Sequence, residues 1–360
     1  MTLPHGGNIY FYADKYGIPE DGFLDFSASI NPLGPSKAAV RAMKDAVPSL
    51  VNYPDPRCSG LKDALSVHLD VLKESLLIGN GSTELIYLIP RALKAKKVLV
   101  FAPTFSDYAR ASGISGAKVS HITLREKDGF LPDMDRLKSA LSGMDMFFLC
   151  NPNNPTGAVI EKDALLDILG MARKADAFVV VDEAFIEYAP GHSVINEAVQ
   201  SKKVAVLRNF TKFYGMPGLR AGYLAADPSV VEKLGAAKEP WSVNTLAERA
   251  AIASLSDEAY IRRSLNLVEK EKEHLYAGLS EITGLRPYPP SVNFILVKLT
   301  GRWNNAAELS ESLAAKGILI RDCSNFRGLD GRFFRVAVRG REDNDALCTA
   351  LRESLSFTQA

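Results

Sequence analysis

An α/β fold, built on a mostly parallel seven-stranded sheet between helices with a smaller α+β C-terminal domain, is predicted by three observations. Short apolar runs alternate with helical patterns between residues 76 and 226. The residues able to do chemistry stand at the ends of those runs, where ligands gather in such sheets. After Pro240 the pattern changes to long charged helices and a few later strand-like segments.

Taken in order, the segment through Pro35 is rich in Gly, Pro, Asn and Ser and cannot form a core alone. We expect residues 1–45 to lie over the small domain and the site entrance. A large domain follows over 46–235. Its strands are expected at Leu76 to Ile78, Val98 to Phe101, Val119 to Leu124, Met146 to Cys150, Ala177 to Val181, Val204 to Leu207 and Ala221 to Ala225. A small domain is expected over 236–360, with a charged helix at Ala259 to Leu279 and strands at Asn293 to Leu299, Ile318 to Arg321 and Phe333 to Val338.

Composition narrows the function. The chain has 360 residues and a formal net charge of +1, so there is no basic surplus for a nucleic-acid backbone. No apolar run approaches the roughly 18 residues of a membrane span, and the start lacks a signal-peptide pattern, which reads as a cytoplasmic protein. Cys58, Cys150, Cys323 and Cys348 show no paired spacing, and the five histidines include no ligand-spaced pair, so neither a disulfide framework nor a metal site is expected.

The chemistry concentrates at strand ends. Lys212, in Asn209-Phe210-Thr211-Lys212, is followed eight residues later by Arg220, a pairing that suits an aldehyde cofactor carrying a phosphate. Upstream, Val179-Val180-Val181-Asp182 ends an apolar strand in the carboxylate that a protonated pyridine nitrogen requires. Lysine, aspartate and arginine have one joint explanation in pyridoxal phosphate. Gly79-Asn80-Gly81-Ser82-Thr83 enters a helix, offering free N–H groups and two hydroxyls to an anion. It is not a G-x-G-x-x-G, which disfavours a nicotinamide enzyme. The amide of Asn154, in Asn151-Pro152-Asn153-Asn154-Pro155, suits the cofactor's phenolic oxygen, and Tyr108 is expected to stack on its ring.

The chain resembles the fold-type I pyridoxal phosphate enzymes of the class I/II aminotransferase superfamily over nearly its whole length, near the histidinol-phosphate aminotransferases. It is most similar to the L-threonine O-3-phosphate decarboxylases of cobalamin biosynthesis. The likeness lies in His5-Gly6-Gly7-Asn8, Asp25-Phe26-Ser27-Ala28-Ser29-Ile30-Asn31-Pro32-Leu33-Gly34, Thr211-Lys212-Phe213-Tyr214, Pro240-Trp241-Ser242-Val243-Asn244 and Arg335-Val336-Ala337-Val338-Arg339. The resemblance implies that Lys212 forms the internal Schiff base and Asp182 pairs with the pyridinium. It implies that Ser82, Thr83, Thr211 and Arg220 hold the cofactor phosphate. Tyr53 would reach the neighbouring subunit's cofactor phosphate, which implies a homodimer with shared sites.

By the same resemblance Arg335 takes the substrate α-carboxylate, and His5, Asn31 and Arg339 are ligands of a phosphate on the substrate, with Arg321 adding positive charge. Arginine forks suit either anion, so which arginine takes which stays open. Two departures stand out. Phe185 replaces the tyrosine usual in D-E-A-Y, and Arg339 replaces a common glycine. The implied reaction is decarboxylation of a phosphorylated amino acid, with amino transfer as the alternative.

Overall fold

The computed structural model describes residues 5–301 and 305–356. Strand β1 (Leu24–Asp25) lies in the N-terminal segment. Seven strands then build the central sheet: β2 (Leu76–Gly79), β3 (Lys97–Ala102), β4 (Lys118–Thr123), β5 (Met146–Cys150), β6 (Phe178–Asp182), β7 (Val204–Asn209) and β8 (Gly222–Ala225). Their order is β2-β8-β7-β6-β5-β3-β4, and only β8 runs against its neighbours. All seven apolar runs are therefore strands of one sheet.

Alternation along these strands feeds two cores. Leu99, Phe101, Phe147, Leu149, Val179 and Val181 point to one face, while Val98, Val100, Met146, Phe148, Phe178 and Val180 point to the other. Successive side chains of a strand take opposite faces, so a run apolar at every position requires cover on both. Helices Met134–Leu141 and Lys162–Lys174 cover the first face, and helix Gly81–Ala92 the second. Each such side chain stabilises the fold by about 1.5–3 kcal/mol when fully buried. A charge at Val180, which is fully buried, would break both the strand and that cover.

The C-terminal part forms a second sheet from β9 (Leu285–Pro287), β10 (Phe294–Leu299), β12 (Arg321–Asp322) and β13 (Phe333–Ala337), all antiparallel. The expected single strand at Ile318 to Arg321 is two: β11 (Ile318–Leu319) pairs with β1, and β12 pairs with β13. The chain changes sheets at Ile320 because its neighbours satisfy different partners. Helix Glu258–Ser280 is a spine shared by both parts. Its Tyr260 packs with the central-sheet residues Ile78 and Tyr223, whereas Leu275 and Leu279 pack under the second sheet. Helix Thr245–Leu255 also joins the central-sheet cluster through Ala247, Ala250 and Ala251, on the large side of the expected division at residue 236. Among the described residues no helix is long and apolar enough to cross a membrane.

Candidate active site

The carboxyl ends of β2, β5, β6 and β7 open on one side of the sheet, and a site assembles there. Lys212 owes its position to an Asn209 turn: the Asn209 Oδ1 accepts from the Thr211 N–H at 2.9 Å and from the Lys212 N–H at 3.3 Å. The Lys212 carbonyl then accepts the Asn31 N–H at 2.9 Å. The ammonium lies 5.9 Å from the centre of the Phe185 ring. Burial, with Arg335 and Arg220 nearby, pushes its pKa down to about 8. A buried lysine that loses its proton so readily can act as a nucleophile and as a proton carrier.

Asp182, 3% exposed, ends β6. Its Oδ1 accepts the Ala184 N–H at 3.0 Å and its Oδ2 accepts the Tyr108 hydroxyl at 2.6 Å. That bond corrects the expectation for Tyr108. The ring is fully buried, stacked on Phe148 at 5.3 Å, and so lies within the fold instead of over a ligand. The half-buried aromatic ring nearer the opening is Phe105, which meets Tyr108 edge-on at 5.5 Å and also adjoins His5.

Across the opening, Arg335 rises from β13. It is 6% exposed; one terminal nitrogen donates to the Asn154 Oδ1 and the other to the Ser27 carbonyl at 3.0 Å. With its oxygen taken by Arg335, the Asn154 amide keeps its N–H₂ as the donor for a ligand oxygen. Burial pushes Arg335 down to about 10, and its Nε–H has no hydrogen-bond partner among the described residues. Arg321 is its direct cross-strand partner on β12.

An anion cradle lies on the other flank. Ser82 and Thr83 open helix Gly81–Ala92, and Arg220 leans over it so closely that a Cβ on Gly81 would lie 2.5 Å from its guanidinium. A Cβ on Gly222 would lie 2.4 Å from the Ser82 nitrogen, which explains a glycine at the start of β8. The Ser82, Thr83 and Thr211 hydroxyls make no hydrogen bond among the described residues. A helix N-terminus, three open hydroxyls and a guanidinium suit a phosphate. Together with the buried Lys212 and Asp182, these residues fit pyridoxal phosphate.

The remaining sequence candidates divide. His5 and Arg321 line one cavity of about 440 Å³ with Gly7, Tyr12, Ser27 and Asn325. Asn31 is committed elsewhere: its amide donates to the Phe213 carbonyl at 2.7 Å and to Ser264 at 2.8 Å, while its oxygen accepts the Leu33 N–H at 3.0 Å. It ties the N-terminal segment to the Lys212 loop. Arg339 is likewise engaged, with Asp343 at 2.9 Å and the Asp25 carbonyl at 3.2 Å, and does not line the His5 cavity. Tyr53 stands 83% exposed beside Trp241, whose ring centre is 5.2 Å away.

Sequence reasoning gave no role to Phe105 or Ser27. Phe105 stands three residues before Tyr108, a signal that two aromatics share that corner, but spacing does not tell which one is the more buried. Ser27 acts through its carbonyl, which no side-chain pattern reveals. Among the described residues no group of three or more His, Cys, Asp or Glu side chains could hold a metal.

Comparison with known proteins shows the family. The family model "Aminotransferase class I and II" matches residues 21–351. Threonine-phosphate decarboxylase from Salmonella typhimurium is 36% identical, over 98% of this chain and 96% of that protein. Histidinol-phosphate aminotransferase from Methanothermobacter thermautotrophicus is 34% identical, over 97% and 93%. Among solved structures, L-threonine-O-3-phosphate decarboxylase from Porphyromonas gingivalis superposes with a TM-score of 0.82 at 26% identity, covering 92% of this chain and 99% of that one.

Proposed function

The chain belongs to the class I and II aminotransferase family, and on that premise we propose that it decarboxylates L-threonine O-3-phosphate with pyridoxal phosphate as cofactor. The C–COO⁻ bond breaks, carbon dioxide leaves, and a proton is returned to the α-carbon to give 1-amino-2-propanol phosphate. This is a step of cobalamin biosynthesis. When bound, the cofactor supplies a carbonyl carbon that the substrate amine attacks and an electron sink for the bond that breaks.

The observation that carries this reading is the pairing of Arg321 with Arg335. Like charges directly opposite on neighbouring strands repel, and here one of them is also buried. A substrate with two anionic groups relieves that cost, and threonine phosphate has a carboxylate and a phosphate. We assign the carboxylate to Arg335, beside Asn154, and the phosphate to Arg321 and His5 in their shared cavity. Binding energy at the phosphate, remote from the reacting bond, then serves to orient the carboxylate.

On the other side Lys212, poised near neutrality, holds and returns the proton at its Nζ. Asp182, kept ionised, supports positive charge on the ring nitrogen. Ser82, Thr83, Thr211 and Arg220 hold the cofactor phosphate. Phe185, at the position of the tyrosine in the D-E-A-Y pattern of the family resemblance, offers no hydroxyl, so Asn154 is left to donate to the phenolic oxygen.

We further propose that the enzyme is a homodimer in which Tyr53 completes the partner's cofactor-phosphate site. Its ring is exposed beside Val51 at 88% and Trp241 at 50%, an apolar surface that a second copy would cover. Mixing Lys212→Ala chains with Tyr53→Ala chains tests this, provided each alone is inactive: activity should return in the mixed dimer. Failure despite proven exchange of subunits removes Tyr53 from the site.

The reaction is tested by offering purified enzyme threonine phosphate without a keto acid. Release of carbon dioxide with the amine retained is expected. Amino transfer from histidinol phosphate to a keto acid, with no carbon dioxide from threonine phosphate, establishes the histidinol-phosphate aminotransferase reading instead.

A further inference from the structure

Asp182 uses both carboxylate oxygens inside the protein, and the donor on Oδ2 is a side chain whose own position is over-determined. The Tyr108 ring is wedged between Phe148, stacked at 5.3 Å and 8°, and Phe105, edge-on at 5.5 Å and 76°. Helix Asp107–Ile114 holds its backbone, and its carbonyl accepts the Ser112 hydroxyl at 2.7 Å. We propose that Tyr108 is a positioning residue, whose hydroxyl keeps the Asp182 carboxylate ionised and fixes which edge it turns toward the cofactor's ring nitrogen. The inference rests on the role assigned above to Asp182 and adds the residue that sustains it.

Electrostatics explains why one hydroxyl should matter. Burial pushes the Asp182 carboxyl up to about 6, and the Tyr108 hydroxyl and the Ala184 N–H pull it back. The other groups facing it are few. Glu183, next in the chain, raises it; Lys212, from the loop after β7, lowers it. Cys150, its register partner on β5, is pushed up to about 12 by burial and stays a neutral thiol. Tyr108 is itself driven well above the usual phenol range by burial and by Asp182, so it remains a donor throughout the working range. No other side chain donates to Asp182 among the described residues.

Removing that hydroxyl while keeping the ring leaves the packing intact and strips Oδ2 of its partner. A lost hydrogen bond to a charged group corresponds to a rise of about 1–2 pH units in the proton affinity of the carboxylate. In the cofactor-free protein, part of the population near neutral pH would then carry a protonated Asp182, a poorer partner for a positive ring.

The test is Tyr108→Phe in the holoenzyme, read three ways: the acid limb of the pH profile of kcat, the pH dependence of the bound cofactor's visible absorption, and the cofactor dissociation constant. The acid midpoint should rise by about one unit, with most of the lost turnover recovered on the alkaline side where Asp182 ionises regardless. Cofactor should dissociate about 10-fold more readily. An equal loss at every pH, or a midpoint and dissociation constant that do not move, overturns the inference. Asp182→Asn is run in parallel. If it keeps wild-type turnover, the role of Asp182 fails and the inference with it; if it loses turnover while the Tyr108→Phe midpoint stays put, the inference alone fails.

Discussion

The floor of the site and its rim are built differently. On the floor, Lys212, Asp182 and Asn154 sit at or just beyond the ends of neighbouring parallel strands, and bonds from Asn209, Ala184 and Tyr108, all on the central sheet's own segments, hold Lys212 and Asp182. On the rim, His5, Arg321 and Arg335 come from opposite ends of the chain and depend on a carbonyl at Ser27 and on the β12–β13 pairing. The floor is fixed by a local rule, that of strand ends in an α/β sheet, whereas the rim exists only after distant segments meet. We read the floor as the part that serves any reaction of this cofactor, and the rim as the part that chooses the substrate.

That comparison can be broken most directly at Lys212. Lys212→Ala should lower turnover toward the ~10⁴-fold end of acid–base contributions with every amino-acid substrate alike. Borohydride should tag the Lys212 peptide in the wild type and no lysine in the variant. Labelling of another lysine removes Lys212 from the floor. Asp182→Asn should cost at least ~100-fold in turnover, again whatever the substrate, while some cofactor stays bound. A loss confined to phosphorylated substrates would move Asp182 to the rim.

The rim predicts selective losses. Arg321→Ala should weaken threonine phosphate by about 10- to 100-fold relative to threonine, the range of a lost charge-assisted bond, and leave cofactor retention alone. Arg339→Ala should change that ratio by less than about 3-fold, because its guanidinium is held by Asp343 and the Asp25 carbonyl outside the His5 cavity. A larger effect at Arg339 than at Arg321, measured by calorimetry, exchanges their assignments.

The smallest effect concerns stability. In the cofactor-free protein the Lys212 pKa is lowered from 10.5 to about 8, so the unfolded chain binds more protons than the folded one between those values. Stability should therefore rise with pH through that window, and fall as pH drops toward 8. Denaturant midpoints of the cofactor-free wild type and Lys212→Met, compared across that range, check the sign. Parallel pH dependences would mean that Lys212 titrates as an ordinary lysine.

The same contrast explains what could be read from sequence. The seven strands of the central sheet were legible because apolar runs between helical patterns have few alternative meanings. Lys212, Asp182 and Asn154 were legible as their strand-end companions. The rim was less so. Asn31 lies in a motif of the family resemblance, yet its amide is spent on Phe213 and Ser264. Tyr108 has the right type and neighbourhood for stacking, but its bond to Asp182 and its packing on Phe148 hold it inside the fold. The apolar run from Ile318 to Ile320 leads into Arg321 without a turn signal, and only pairing with two different strands divides the segment.

That division bears on how the molecule is made. Leu24 pairs with Ile318 and Asp25 with Leu319, so β1 has no edge to join until the distant β11 has been synthesised. Contacts so distant in sequence form late, because the loop they close must first be ordered. The segment that carries His5 and Asn31 thus waits while the central sheet, with Lys212 and Asp182 already on it, assembles. A partly synthesised chain would hold the floor of the site without its cover, and β1 would be an unpaired edge for any other chain nearby.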